Sequence, residues 1–332
     1  MGLKIELKLK MNSKISWGII GCGDVAEIKS GPAFQKCENS QLLAVMRRNG
    51  DLAKDFAMRH NVTHYYNDAD EFLKNRDINA VYVATPPSTH LHYALKALKA
   101  GKNVYIEKPM VLSVNEALKL ENAVDNSPNK LVVAHYRRFL PMYIKVKELI
   151  DRHIIGTINF VDLKFLKPHD FNDKAGWRLE PEVSGGGYFH DIAPHQIDLM
   201  YHFFGEYRCA NGIAVNQSKI NIVDDMVNGI INFKNGIQFR GIWSFAIPQY
   251  LEEDNCTIYG EKGNISFSFY EETLKLNLKN ENQVFNFKNP KHIQQPLIQE
   301  TVNYFLGKRD NPCNVKVGVA VMNLMQQFTK ND

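Results

Sequence analysis

Several short stretches of this chain hold residue types at spacings that can do chemistry. Gly21-Cys22-Gly23-Asp24-Val25-Ala26 fits G-x-G-x-x-(G/A), a turn that cradles the pyrophosphate of a dinucleotide. Gly21 allows the tight turn, Gly23 the close approach of the phosphates, and small Ala26 the packing of the next helix on its sheet. The helix N-terminus then faces the phosphates. A plain glycine-rich strand–helix turn would look similar, but a strand before it and a helix after it favour the nucleotide. NAD-binding chains usually place Asp or Glu about 20 residues further on, for the ribose 2′-hydroxyl. Here the positions read Met46-Arg47-Arg48-Asn49, with no carboxylate before Asp51. Two guanidiniums suit a 2′-phosphate, which they can grip bidentately. NADP is therefore expected in preference to NAD, against the blander reading of a solvated basic turn.

Lys108 ends the run Val104-Tyr105-Ile106-Glu107. A lysine there can be mere surface, yet the carboxyl edge of a parallel sheet is where ligands bind. Asp191 and His195 stand four apart after Gly185-Gly186-Gly187, so a helix beginning near Ile192 projects both from one face. Asp191 could simply cap that helix, with Pro194 tolerated in its first turn, and His195 could be a buried, hydrogen-bonded histidine. A metal held by Asp191 and His195 would need more ligands than this spacing supplies, and no metal site is expected.

The elements that must position these residues follow from periodicity. Over residues 15–134, apolar runs (Ile15 to Ile20, Leu42 to Met46, Ala80 to Ala84, Val104 to Ile106, Leu131 to Ala134) alternate with amphipathic stretches. That pattern predicts a doubly wound parallel sheet covered on both faces, an α/β Rossmann domain. Helices are expected over Val25 to Lys36, Asp51 to Arg59 and Asp68 to Leu73, then from an N-cap at Ser88 to Ala100, and after the Ser113/Glu116 capping box. Beyond about residue 140 the rhythm changes. A helix from Met142 to Arg152, a strand from Thr157 to Phe165, a Gly/Pro/Asp-rich loop and a helix from about Ile192 to Phe204 precede a run of strands. Helices return over Ile293 to Leu306 and Val315 to Phe328. The second half reads as α+β on a mostly antiparallel open sheet. The division expected is an extension over residues 1–12, a nucleotide domain over 13–136 and a second domain over 137–332.

Composition narrows the class. At 332 residues, 44% hydrophobic and 23% charged, the chain is an ordinary globular one of about two domains. A net charge of +4 is too slight and scattered for a nucleic-acid partner. No apolar run of about 18 residues suggests a membrane span. Leu3, Ile5, Leu7 and Leu9 alternate with charged residues, unlike a signal peptide, and the five cysteines form no Cys-x-x-Cys pair. A cytoplasmic protein with reduced thiols is expected.

Thr85-Pro86-Pro87-Ser88-Thr89-His90, Glu107-Lys108-Pro109 and Gly185-Gly186-Gly187-Tyr188-Phe189-His190-Asp191-Ile192-Ala193-Pro194-His195-Gln196-Ile197-Asp198 together carry a resemblance. In these motifs, over residues 15 to about 205, the chain resembles the glucose–fructose oxidoreductase/inositol dehydrogenase (Gfo/Idh/MocA) family. The resemblance implies that Lys108 contacts the nicotinamide ribose and the substrate hydroxyl, that His195 is the general acid/base, and that Asp191 orients substrate or imidazole. A histidine near its usual pKa of about 6.5 would suit proton exchange with a carbinol at neutral pH. It also implies cofactor contacts from Thr85, Pro86, Pro87, His90 and Glu107, and from Trp177-Arg178 in the second domain, and a homodimer or homotetramer formed through the C-terminal sheet. His135 stands where many members carry asparagine, a departure at a cofactor-contacting position. The polar loop Lys167-Pro168-His169-Asp170 is a further candidate for substrate contact, with a solvated loop as the simpler reading.

The expected activity is reversible hydride transfer between NADP(H) and a carbinol or carbonyl carbon of a sugar, cyclitol or related small molecule. A non-catalytic NADP-binding sensor and an NAD-dependent glycosidase on the same fold are the alternatives.

Overall fold

The structure is a computed structural model that describes residues 13–169 and 176–330. The alternating segment before Asn12 and the loop residue Asp170 lie outside the described residues.

Strands β1 (Ile15–Ile20), β2 (Ser40–Met46), β3 (His64–Tyr66), β4 (Ala80–Val83), β5 (Asn103–Ile106) and β6 (Leu131–Val133) form a six-stranded sheet in the order β3-β2-β1-β4-β5-β6. Every pairing is parallel. That is the Rossmann order, with its switch point between β1 and β4. All six residues of β1 are buried because helices cover both faces. The short strand β3 carries no continuous apolar run, so its sequence gives no strand signal.

The crossover helices are α1 (Gly31–Lys36), α2 (Gly50–Arg59), α3 (Ala69–Lys74), α4 (His90–Lys99) and α5 (Val114–Asp125). Asp68 accepts from the backbone of Asp70 and Glu71, and Ser113 from Glu116, as their spacings predict. Ser88 does not cap α4. Pro86 and Pro87 set a tight turn over Pro87–Thr89, and the helix proper starts at His90. The helix expected over Val25 to Lys36 is also broken, into a π-turn (Ala26–Ser30) and α1, where Ser30 leaves helical φ and Pro32 follows without an N–H.

After α6 (Pro141–Asp151) come β7 (Ile158–Leu166), α7 (Pro181–Ser184), α8 (Gly187–Phe204), β8 (Tyr207–Val215), β9 (Met226–Phe233), β10 (Gln238–Ser244), β11 (Glu253–Gly260), β12 (Gly263–Phe267), β13 (Thr273–Leu278) and β14 (Glu281–Asn286). The second sheet runs β14-β13-β12-β11-β7-β10-β9-β8, antiparallel except between β7 and β10. In β9 and β10 buried and exposed residues alternate, so one face is packed and the other open.

The last helices, α9 (Gln295–Phe305) and α10 (Val315–Thr329), do not stay with the second sheet alone. Phe305 packs 5.6 Å from Trp17, and the backbone of Val133 bonds to Cys313 at 2.9 Å. Helix α10 lies between α5 of the first domain and α8 and β8 of the second. Residues after β14 thus return to finish the nucleotide domain.

Candidate active site

A cleft of about 1110 Å³ runs along the carboxyl edge of the first sheet and is closed on its far side by the second domain. At one end, Gly21 has φ of +95°, and a Cβ there would lie 2.7 Å from the Thr85 nitrogen, so only glycine fits. A Cβ built on Gly23 would meet nothing within 4 Å, leaving the turn open to a ligand. Asp24, Val25, Thr85, Pro86 and Pro87 line the same end of the cleft. Ala26 is fully buried under the turn, where it serves packing rather than contact.

Arg47 and Arg48 border the cleft just after β2. Asn49 is engaged instead in capping α2. Neither guanidinium makes a hydrogen bond or ion pair among the described residues, so both are available to an anion. The glycine turn fits the phosphates of a dinucleotide, and the two arginines border the same cleft.

His90 is a correction. It does not line the cleft. Buried to 1% exposure, it holds Nε2 2.7 Å from the Thr85 carbonyl oxygen and Nδ1 2.9 Å from that of Pro109. It braces two cleft loops against each other from behind.

The other end of the cleft gathers the charged groups. Lys108 follows β5, with a cis peptide to Pro109, and donates through Nζ to both the main-chain oxygen (2.6 Å) and Oδ1 (2.7 Å) of Asp191. The Nε of Arg178 donates to Oδ2 of the same carboxylate at 2.8 Å. Burial would raise the Asp191 pKa, but the two cations outweigh it and hold the group well below the usual carboxylate range. Burial likewise opposes the charge on Lys108, and Asp191 more than restores it, so its pKa is raised. One carboxylate thus keeps a half-buried lysine charged. Trp177 and Arg178 reach this point from the second domain, the guanidinium 4.6 Å over the indole ring.

Asp191 is not the cap of its helix. Helix α8 begins at Gly187, because Gly185, Gly186 and Gly187 all take positive φ (+92°, +146° and +80°) and wind the chain into it early. Asp191 therefore sits one turn inside, with His195 one turn further along the same face.

His195 is 6% exposed, and the Tyr136 ring stands edge-on at 4.9 Å. Its pKa lies well below the ordinary imidazole value, through burial first and then the nearby charges of Lys108, Arg137, His135 and Lys29. The expectation of a histidine titrating near 6.5 is therefore overturned: the ring is neutral at neutral pH. Its Nδ1 is buried without a hydrogen-bond partner among the described residues.

Glu107 also lines the cleft, but its carboxylate is taken up by protein donors. Tyr82 donates its hydroxyl to the carboxylate, Gln294 donates at 2.6 Å, and the Lys108 backbone N–H donates at 3.0 Å. Gln294, just ahead of α9, thereby steadies the strand end that carries Lys108. His135 is 1% exposed, outside the cleft lining, with Nδ1 3.9 Å from Oδ1 of Asp198, whose carboxylate is gripped by Arg138 at 2.6 and 2.8 Å. Burial pushes His135 down to about 4. Lys29, Tyr136, Arg137, Tyr270 and Gln294 also border the cleft, without a role expected from the motifs. Arg137 had a signal: it opens an arginine doublet a few residues after an apolar strand.

Beyond Ile192 and Tyr270 the cleft gives onto a second chamber of about 660 Å³, into which Lys167, Pro168 and His169 face. Among the described residues no group of three His, Cys, Asp or Glu side chains is placed to hold a metal ion. No helix among them is long and apolar enough to cross a membrane.

Residues 15–135 match the oxidoreductase family with an NAD-binding Rossmann fold, and residues 143–266 match the GFO/IDH/MocA C-terminal domain. An oxidoreductase of Formosa agariphila is 50% identical over 322 residues, covering 96% of this chain and 99% of that one. A 3-ketoreductase from Actinomadura kijaniata, solved with NADP and TDP-benzene, superposes with a TM-score of 0.82 at 20% identity over 96% of this chain and 98% of that one. An aldose–aldose oxidoreductase from Caulobacter crescentus gives 0.82 at 21% identity over 94% and 96%. At such identities the two solved structures bear on the fold.

Proposed function

The chain belongs to the Gfo/Idh/MocA oxidoreductase family, and on that premise we propose that it transfers hydride reversibly between NADP(H) and a carbinol or carbonyl carbon of a sugar, cyclitol or related polyol. The observation that carries the reading is a lysine kept charged by Asp191 in the same cleft as a neutral, partner-free imidazole. Bound NADP would supply the hydride acceptor, leaving orientation, electrostatics and proton handling to the protein. Gly21, Gly23, Asp24 and Val25 form the phosphate cradle, and Arg47 and Arg48 take the 2′-phosphate. Thr85, Pro86, Pro87 and Trp177 flank the dinucleotide.

In the oxidation direction the neutral His195 imidazole, which lines the cleft, accepts the hydroxyl proton, and in reduction the same ring returns it. The Lys108 ammonium donates a hydrogen bond to the substrate oxygen and stabilises the negative charge that grows there during reduction. Asp191 keeps that ammonium protonated, and Arg178 keeps Asp191 ionised. Glu107, fixed by Tyr82 and Gln294, positions Lys108 rather than touching substrate. A non-catalytic sensor has no use for such a relay, and nothing in the cleft favours glycosidic cleavage.

Self-association through the open face of the second sheet fits the exposed Ile213 and Ile230. A cytoplasmic site fits the five free cysteines.

The test is direct. Titrated into the protein, NADPH should bind at least tenfold tighter than NADH, about 1.4 kcal/mol. A panel of aldoses and polyols with both cofactors, read by the absorbance of the reduced nicotinamide, should reveal turnover. Equal or reversed affinities sink the NADP assignment, and silence across the panel sinks the sugar assignment.

A further inference from the structure

The second chamber is walled by aromatic rings. Tyr188 stands 5.7 Å from Phe245, Phe245 lies 6.2 Å from Phe165, and Phe165 lies 5.7 Å from Tyr270. Beside the rings the lining is polar, with the Lys167 ammonium 5.6 Å over Phe165. Lys167 pairs with Glu252, and Gln249 donates to the same carboxylate at 2.7 Å. One apolar wall and one rim of donors and acceptors match a pyranose ring, which shows C–H groups on its face and hydroxyls on its edge. A flat arene would leave the polar rim unanswered when it displaced water.

The chamber is also in line with the reacting end of the cleft. Tyr188, Ile192 and His195 occupy positions i, i+4 and i+7 of α8, a single stripe of that helix. Tyr188 opens on the chamber, Ile192 borders both spaces, and His195 lines the cleft. Seven residues of helix separate the two ends by about 10 Å. One hexose does not fill that length, but two linked rings do.

We propose that the chamber is a second-ring subsite and that the substrate is a glycoside of at least two linked pyranose units. The ring that reacts lies beside Lys108 and His195, and its neighbour lies in the chamber against Tyr188 and Tyr270. This rests on the sugar-oxidoreductase reading above and narrows it to a substrate class.

The experiment uses the full chain saturated with NADP. Paired probes (glucose and cellobiose, galactose and lactose, xylose and xylobiose) are titrated calorimetrically and assayed for turnover, with a trans-dihydrodiol as the aromatic control. At least one disaccharide should bind tenfold or more tighter than its monosaccharide, about 1.4 kcal/mol. Tyr188→Ala should cut the disaccharide-to-monosaccharide ratio of kcat/KM at least tenfold. Gln249→Ala, a change at an exposed rim position, should cut it by a smaller factor, and it decides the matter if Tyr188→Ala fails to fold. Monosaccharides that react with no disaccharide preferred overturn the subsite and leave the parent reading standing. A preference that survives both variants, or a dihydrodiol that outcompetes every sugar, overturns it too. If no sugar binds or reacts at all, both readings fall together.

Discussion

Asp191→Asn is the change that most directly probes the charged end of the cleft. The carboxylate sits between Lys108 at 2.7 Å and Arg178 at 2.8 Å, with side-chain exposures of 13% for Lys108, 25% for Asp191 and 27% for Arg178. Removing one partner of a buried ion pair costs about 3–5 kcal/mol. Partial exposure, and the main-chain oxygen of residue 191 that still accepts from Lys108, put this site at the lower end, about 3 kcal/mol. Unfolding entropy of about 2.1 cal/mol/K per residue gives about 0.7 kcal/mol/K for a chain of 332 residues, so Tm should fall by about 4 °C. The pH dependence has a definite sign. Asp191 has a depressed folded pKa, so its contribution is present above its unfolded value of about 3.9 and lost as pH falls further. Lys108 has a raised folded pKa, so its contribution is present below about 10.4 and lost as pH climbs through the folded value. Parent and variant should therefore differ by a constant amount between pH 5 and 9, read by differential scanning calorimetry. The variant also removes the charge that does most to offset burial at Lys108, leaving Glu107 as the remaining carboxylate, so the alkaline limb of the rate profile should move to lower pH. A Tm difference below 1 °C at pH 7, or one that drifts across that window, refutes the ion-cluster reasoning.

Lys108→Ala should lower kcat/KM by about 10²–10³, the usual cost of losing one donor to a developing oxyanion, while the fold survives because Arg178 still pairs with Asp191; near-parental turnover on any verified substrate removes Lys108 from the mechanism. His195→Ala should lower kcat by about 10²–10⁴ with little change in NADPH affinity. Because burial depresses His195, the acid limb of the oxidation profile should lie well below pH 6.5 in the parent and vanish in the variant; a parental limb near neutrality contradicts the buried, neutral ring. His135, pushed down to about 4, makes the native state bind fewer protons than the unfolded one between pH 6.5 and 4, so stability should fall with acidification by about 3 kcal/mol from this residue alone. Urea midpoints of parent and His135→Gln, followed over that range, should converge at low pH; parallel curves would show that His135 is protonated without cost.

The nucleotide domain was legible because its signals are local. A six-residue apolar run followed by Gly21 and Gly23 defines a strand, a turn and an open cradle within a dozen residues, and Arg47 and Arg48 lie at the next strand end. The spacing of Asp191 and His195 put both on one helix face for the same reason. The helix start was misplaced because three glycines read as a loop, whereas their positive φ angles are what turn the chain into α8. The titration of His195 was not legible, since it depends on burial and on Lys108, Arg137 and Lys29, which come from distant segments. His90 failed in the opposite sense: it stands in a recognisable motif, but its ring points into the protein. Gln294 had no signal at all, because its partner Glu107 is 187 positions away.

The return of α9 and α10 has a consequence for how the molecule is made. Synthesis proceeds from the N-terminus at about 5–20 residues per second. The backbone of Val133 waits for Cys313, so the intervening chain of roughly 180 residues imposes a delay of roughly 10–40 s before the pairing can form. Through that interval Met110 and Val133, which later pack against Gly318, face the nascent-chain environment uncovered, with Trp17 still lacking Phe305. The nucleotide domain is first in sequence yet among the last parts to close. A chain stalled or cut before Val315 would present that apolar surface to chaperones and to other copies of itself, even with every residue of the parallel sheet already in place.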